Sequence, residues 1–594
     1  MKPQLNWDLE SIFPGGSESG EYAEYLEKLQ IDIAASYSVV QNKPSFTPTE
    51  WVQLLDTVQD LAKRLRHASA FVGCLTAQNS KDAKATLLRG KTSSLGAALA
   101  SVLTQLDKHI LNMPEDEWAI LVERAEFKEF RFNLEERRRR AKDKLPAEME
   151  TLVNDLSVDG YHAWSNLYDT VVGRLTVEIS ENGKDLSLSP GQAANKLMSQ
   201  DREFREHVMG RWEEAWTRDA DYCALALNHL GGYRLKLYEH RGWDHVHREP
   251  LDYNRMQKAT LDAMWNTITA NKPRLVKYLD RKREILGVDK LNWHDLDASL
   301  KLGAASGRMD YHDAAQFIVD QFDRFNPEMA EFTKNCFENG WVEAEDRPGK
   351  RPGAFCTTFP DVKESRVFMT FSGTMNNVST LAHELGHAYH QSVMNELPPF
   401  AMQYAMNVAE TASTFAEVTV ADAAIANAKT EDERLSLISD KLQRTATLLM
   451  NIHARFIFET NFYEERRQGL VSKDRLCELM VAAQEEAFDG VLGTYHPHFW
   501  ASKQHFYITG VPFYNFPYTF GFLFATGVYA RALKEGPSFA RKYDDLLRDT
   551  GRMMVEDLAM AHLGVDLTQP DFWQDAIDVA LAELDDFLEL TAKR

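Results

Sequence analysis

Cysteine is scarce in this chain: five residues in 594, at Cys74, Cys223, Cys336, Cys356 and Cys477. A sparse, odd set is no disulfide framework, and without a C-x-x-C pair it offers no thiolate metal site. Basic charge is also short, with 67 Lys and Arg against 89 Asp and Glu and a net charge of −22. That balance speaks against a sequence-independent nucleic-acid binder, which needs a surplus of positive charge, while leaving room for a local basic patch. No run of about 18 apolar residues occurs, so no membrane span is expected. The opening MKPQLNWDLESIFPGG has no basic stretch leading into an apolar one, so the expectation is a soluble protein of a reducing cytoplasm, without a secretory signal. Internal repeats and low-complexity segments are missing too.

What is present is an ordinary globular mixture, 44% hydrophobic and 26% charged. The length is about three to five times that of a common domain, so subdomains or one large mass around a cleft are required. Apolar residues recur three and four apart through most of the chain, as in PTEWVQLLDTVQDLAKRLRHASAFVGCL, and the fold class is mainly α. The charged stretch LEERRRRAKDKL reads as a solvated helix face, with an anion site at Arg137 to Arg140 as the alternative. A polar β-leaning piece, RLTVEISENGKDLSL, with a turn at Glu181-Asn182-Gly183, divides an N-terminal helical region (1–188) from a catalytic region (189–594). Within the latter, a small β segment is expected at about 353–373, with RVFMTFSG as its second strand. If that strand is an edge, its free N–H and C=O groups can bind an extended peptide, placing Phe371 and Gly373 near substrate. An internal strand is the alternative.

The helix expected at about 376–394, with Asn376 or Asn377 at its start, contains His383-Glu384-Leu385-Gly386-His387. Residues four apart share one helix face, so His383 and His387 can both reach one cation, at about 2.0–2.1 Å for zinc. Glu384, rotated by about 100°, is placed beside the open metal position as general base. An H-E-x-x-H arises by chance in about 4 of 100 chains of this composition, but Val378, Leu381, Ala382, Leu385 and Ala388 give this one a buried amphipathic setting. The metzincin pattern is excluded, because it requires Gly and His where His390 and Val393 stand. A second helix, at about 404–428, offers Glu410 in the apolar run V-A-E-T-A-S-T-F-A, where an unpaired carboxylate is costly to bury. Glu410 is the expected third ligand. Glu417, two turns on, is either the acceptor for a ligand histidine's outer N–H or an ordinary solvated glutamate.

TLAHELGHAYHQ followed by ETASTFAE resembles the signature of the oligoendopeptidase F and thimet oligopeptidase family of zinc peptidases. LNWDLESIF and HFYITGVPFYNFPYTFGFLF resemble its oligoendopeptidase F branch. The resemblance implies a mostly helical, two-lobed molecule enclosing a deep channel, one zinc ion on its floor, and cleavage inside short peptides rather than folded proteins. It implies the same ligands, His383, His387 and Glu410, with Glu384 as base. It further implies that the aromatic loop at 495–529, where Pro512 and Pro517 break any helix, faces the metal. His505 and Tyr514 are the favoured groups there for the oxyanion, with Tyr507 and Tyr518 behind them as substrate contacts. The competing readings are a zinc carboxypeptidase or dipeptidyl carboxypeptidase, for which Lys350 and Arg351 are possible anchors, and a non-catalytic peptide-binding protein, which would not need Glu384. Side-chain preference and oligomeric state have no signature in the chain.

Overall fold

Caps and periodicity turn the helical segments into long helices. Pro48–Gln78 begins in a capping box in which Thr47 and Glu50 satisfy each other's backbone N–H groups, with Pro48 at the first position. Ser19 and Asp82 cap Gly20–Asn42 and Ala83–Asn112 by accepting from the backbone N–H groups of Tyr22 and Ala85. The computed structural model describes residues 1–300, 302 and 308–592. Helices dominate it, and the strands form only two small sheets. No helix among the described residues is long and apolar enough to cross a membrane.

The chain folds as two compact units. The first comprises Met1–Lys144, Ser306–Ala423 and Val528–Gly564. Its core joins Trp7, Phe13, Tyr22 and Phe71 from the N-terminal segment to Phe359, Phe368 and Phe400. Its sheet has three strands, β3 (Val342–Glu343), β4 (Phe355–Phe359) and β5 (Glu364–Phe368), in the order β3-β5-β4. β4 and β5 are the expected antiparallel pair, whereas β3 joins β5 in parallel. The segment RVFMTFSG is therefore not an edge. Its start lies between two strands, and Met369 and Phe371 continue the pairing by donating to the carbonyls of Glu343 and Ala344, both at 2.9 Å. The free edge belongs to β4. Helix Met375–Met394 packs on β4 and β5.

The arginine-rich helix Arg131–Lys142 belongs to this unit as well. Arg137 pairs with Asp107 at 2.7 Å, and Arg140 with Glu136 at 3.0 Å. Arg138 is buried and donates to the carbonyls of Ile110 and Met113. The stretch is an internally paired helix rather than an anion site, and only part of it is solvated.

The second unit comprises Leu145–Ala305, Ala424–Gly527 and Val565–Arg594. It holds the hairpin of β1 (Val177–Glu181) and β2 (Lys184–Leu188). Asn182 and Gly183 turn it with φ of 53° and 75°, the left-handed pair that a two-residue turn matching strand twist requires. Helix Arg202–His240 is its longest element, anchored near its start by the buried Asp295, which holds Arg205 at 2.8 Å and Arg202 at 3.2 Å.

Candidate active site

Two helices of the first unit approach closely enough to exclude a side chain between them. A Cβ on Gly386 would lie 2.5 Å from the Ala412 carbonyl oxygen and 2.6 Å from Ser413 Cα. Only glycine permits that contact. The first helix starts at Thr374, whose hydroxyl accepts the Asn377 N–H at 3.2 Å. Neither Asn376 nor Asn377 caps it. Asn377 Oδ1 instead accepts from the Ser372 N–H and hydroxyl, at 2.9 and 2.7 Å, tying the preceding loop to the helix. The helix expected over 404–428 is interrupted: Met406–Ala409 makes one turn, Glu410 departs from helical geometry at φ −87° and ψ 4°, and a helix resumes over Thr411–Ala426. The break falls on the candidate ligand itself, one residue before the segment that meets Gly386.

His383, His387 and Glu410 converge, each offering a ligand atom within 4.8 Å of the others. Glu410 Oε2 lies 3.2 Å from His383 Nε2 and 3.5 Å from His387 Nε2. Two donors bonded tetrahedrally to zinc at about 2.0–2.1 Å stand about 3.3 Å apart, so the set fits that ion. The imidazole rings are nearly perpendicular, at 86° with centroids 4.9 Å apart. His383 Nδ1 lies 3.1 Å from Glu417 Oε2. A carboxylate only accepts, so this bond places the proton on Nδ1 and leaves the Nε2 lone pair facing the ligand group. Of the two readings of Glu417, the geometry matches the acceptor for a histidine N–H. Ser413 Oγ donates to Glu410 Oε2 at 2.8 Å.

Burial sets the charges. His387 is pushed down to about 4, mainly by desolvation, so its imidazole is neutral near pH 7. Burial opposes the charge on Glu410, but His383 and His387 outweigh it and hold the carboxyl at about 2. Glu384 is 6% exposed, and burial raises it to about 7; Glu410 adds to the rise and His383 works against it.

His383, Glu384 and His387 line a cavity of about 420 Å³ together with Arg66, Gln391, Tyr404, and Ala354, Phe355, Cys356 and Thr358 at the β4 edge. The strand beside the site is thus β4, not the segment carrying Phe371 and Gly373. Phe371 is buried with its ring against Tyr311, and Gly373, at φ 86°, accepts the Met309 N–H at 2.9 Å. Neither lines the cavity. Lys350 is committed elsewhere: its ammonium donates to the carbonyls of Glu345 and Met369 and pairs with Glu343 at 3.2 Å. Arg351 lies over the Phe355 ring. Gln391 could have been read from the sequence, because it continues the 383–387 face by four residues. Arg66 and Tyr404 carry no motif.

The aromatic candidates lie in the second unit. His505, Tyr514 and Tyr518 cluster, with His505 stacked on Tyr514 at 5.1 Å and Tyr518 5.8 Å from Tyr514. Asn515 Oδ1 lies 2.8 Å from His505 Nδ1 and accepts from Arg455 at 3.0 Å. Tyr507 stands apart, fully buried and stacked on Tyr168 at 3.6 Å. The segment is only partly a loop: a helix runs over Phe516–Glu535, with Pro517 in its first turn, where no intrahelical N–H is needed. Tyr518 therefore sits at a helix start.

An H-E-x-x-H helix beside a strand edge, with a glutamate converging on it from the break before a following helix, forms the layout used by metallopeptidases of the H-E-x-x-H type. Residues 196–579 match Peptidase family M3, and residues 109–176 match Oligopeptidase F. The chain belongs to peptidase family M3 and is a peptidase, in agreement with the resemblance carried by its motifs. Oligopeptidase PepF of Bacillus subtilis is 22% identical over 603 residues, covering 100% of this chain and 88% of that protein. The chromosomal oligoendopeptidase F of Lactococcus lactis subsp. cremoris is also 22% identical, over 70% of this chain and 68% of its own. Among solved structures, a peptidase of Chlamydophila abortus superposes with a TM-score of 0.85 at 18% identity, over 99% of both chains. Oligoendopeptidase-F of Enterococcus faecium gives 0.70 at 18%, over 97% of this chain and 98% of that one. These likenesses define the same helical fold.

Proposed function

We propose that the chain is a zinc-dependent endopeptidase that hydrolyses internal bonds of short oligopeptides. The observation carrying this reading is the convergence of His383, His387 and Glu410, with the buried Glu384 carboxylate on the wall of the same cavity. Zinc held by those three residues would supply a Lewis acid for the scissile carbonyl and lower the pKa of water toward 7. Glu384, buried on the wall of the same cavity, takes the proton of the attacking water and passes it to the leaving amine. Glu417 fixes the His383 tautomer. The β4 edge receives the substrate as an added strand, and backbone pairing of that kind tolerates many side chains. For the oxyanion and the substrate, His505, Tyr514 and Tyr518 are the candidates carried by the family resemblance; the fully buried Tyr507 is not among them.

The names of the relatives, oligopeptidase and oligoendopeptidase, support short peptides as substrates. The exopeptidase reading loses one of its two anchors, because Lys350 is already neutralised by Glu343. A peptide-binding protein without catalysis would have no use for Glu384, which is buried in the cavity but is not one of the three converging ligand residues. The test is product mapping by mass spectrometry on a ten-residue peptide blocked at both ends, beside a stable folded protein carrying the same sequence. Internal cleavage of the peptide alone is expected. Cleavage only when a free carboxylate is present, or equal cleavage of the folded protein, overturns the reading.

A further inference from the structure

We propose that Arg66 is a specificity-determining residue that binds a carboxylate of the substrate near the scissile bond; this rests on the peptidase reading above. Its guanidinium lines the cavity of His383, Glu384 and His387. Its protein partners are neutral oxygens only: Nη2 donates to Gln391 Oε1 at 2.9 Å and faces Thr358 Oγ1 at 3.5 Å. Arg64, two residues earlier on the same helix, shows the usual arrangement in this acidic chain, with Asp32 at 2.7 Å and Asp60 at 3.0 Å. Arg66 has no such counter-charge among the described residues. Its Nε and Nη1 donors remain for a ligand, and a guanidinium fork suits a carboxylate.

The guanidinium is held in place. Gln391 is 3% exposed, and its amide nitrogen donates to the Tyr404 hydroxyl at 2.7 Å, which turns Oε1 toward Arg66. Gln391 follows His387 by four residues on the same helix face, so its partner Arg66 is held one helix turn along from the converging triad. The bound carboxylate can be the C-terminal carboxylate or an Asp or Glu side chain.

Two peptide series separate the sources: a free C-terminus against its amide, and Glu against Gln at successive positions around one cleavage site. We expect one series to show a kcat/KM ratio favouring the carboxylate by about tenfold to a hundredfold, the range for a charge-assisted hydrogen bond. In Arg66→Gln that ratio should fall to about one, through KM more than kcat, and Arg66→Lys should retain part of it. Calorimetric Kd values for the same peptides on Glu384→Gln and on Glu384→Gln/Arg66→Gln read the preference without turnover. Were the wild type to cleave nothing, the peptidase reading would fail while the Kd ratio still decided the role of Arg66. Absence of a preference in both series, or one that survives Arg66→Gln, overturns the proposal.

Discussion

Gly386→Ala tests the helix contact on which the site geometry depends. Replacing glycine inside a helix by alanine ordinarily stabilises by about 0.5–1 kcal/mol. Here the added methyl carbon would stand 2.5 Å from the Ala412 carbonyl oxygen and 2.6 Å from Ser413 Cα, and both partners are backbone. Ordinary contact begins at about 3.5 Å, so the helices must separate by about 1 Å. Overpacking of this kind costs about 1–3 kcal/mol, which reverses the sign of the substitution. The displaced segment adjoins Glu410, whereas metal ligands tolerate errors of only about 0.2 Å. Zinc affinity should fall by about 10–100-fold, comparable to the loss when ligand orientation is disturbed. Thermal melting of the metal-free protein and competition with a zinc chelator read the two effects separately. A variant as stable as the wild type, with unchanged zinc affinity, would refute the close-approach argument.

Glu410→Ala should lose zinc outright and Glu417→Ala should weaken it by about 10–100-fold, as measured by chelator competition; full occupancy in the first would move the third ligand elsewhere. His505→Ala and Tyr514→Phe should lower kcat more than they raise KM, because an oxyanion donor acts mainly in the transition state; a change confined to KM would reassign the cluster to substrate recognition. The Glu213 carboxylate accepts from His496 and, at 2.6 Å, from His498. Burial opposes its charge, but the two imidazoles hold Glu213 at about 2; burial likewise opposes charge on His498, which Cys477 and Glu213 raise to about 9. The depressed carboxyl contributes stability above its unfolded value near pH 4.5, lost as pH falls toward 2. The raised imidazole contributes below its unfolded value near 6.5, lost as pH rises toward 9. Melting temperatures of Glu213→Gln should therefore fall furthest below wild type between about pH 4.5 and 6.5, and a deficit independent of pH would contradict the pairing.

The converging group of His383, His387 and Glu410 was legible because its signals are local. Helical spacing alone aligns His383 with His387, and Glu410 stands out as a carboxylate in an apolar run. The hairpin of β4 and β5 was legible too, but which strand forms the edge was not. That depends on β3, two residues long and joined in parallel from outside the hairpin, too short for any period to register. The helix start was misplaced by competition among Thr374, Asn376 and Asn377, all good caps, and the local bonds from Ser372 to Asn377 Oδ1 take that side chain away from the capping role. Proline misled at 517, because it disrupts a helix interior but fits a first turn. Arg66 was invisible: on its own helix it is one of several basic residues, and its neutral hydrogen-bond partners, Gln391 and Thr358, come from distant parts of the chain.

The central claim, a metal site with Glu384 as base rather than ligand, is tested most directly by measuring zinc content and turnover together in the wild type and Glu384→Gln. The account predicts one zinc per chain in both proteins and cleavage of an end-blocked peptide reduced by about 10²–10⁴-fold in the variant. A variant that keeps wild-type turnover, or one that loses its zinc along with its activity, would contradict it.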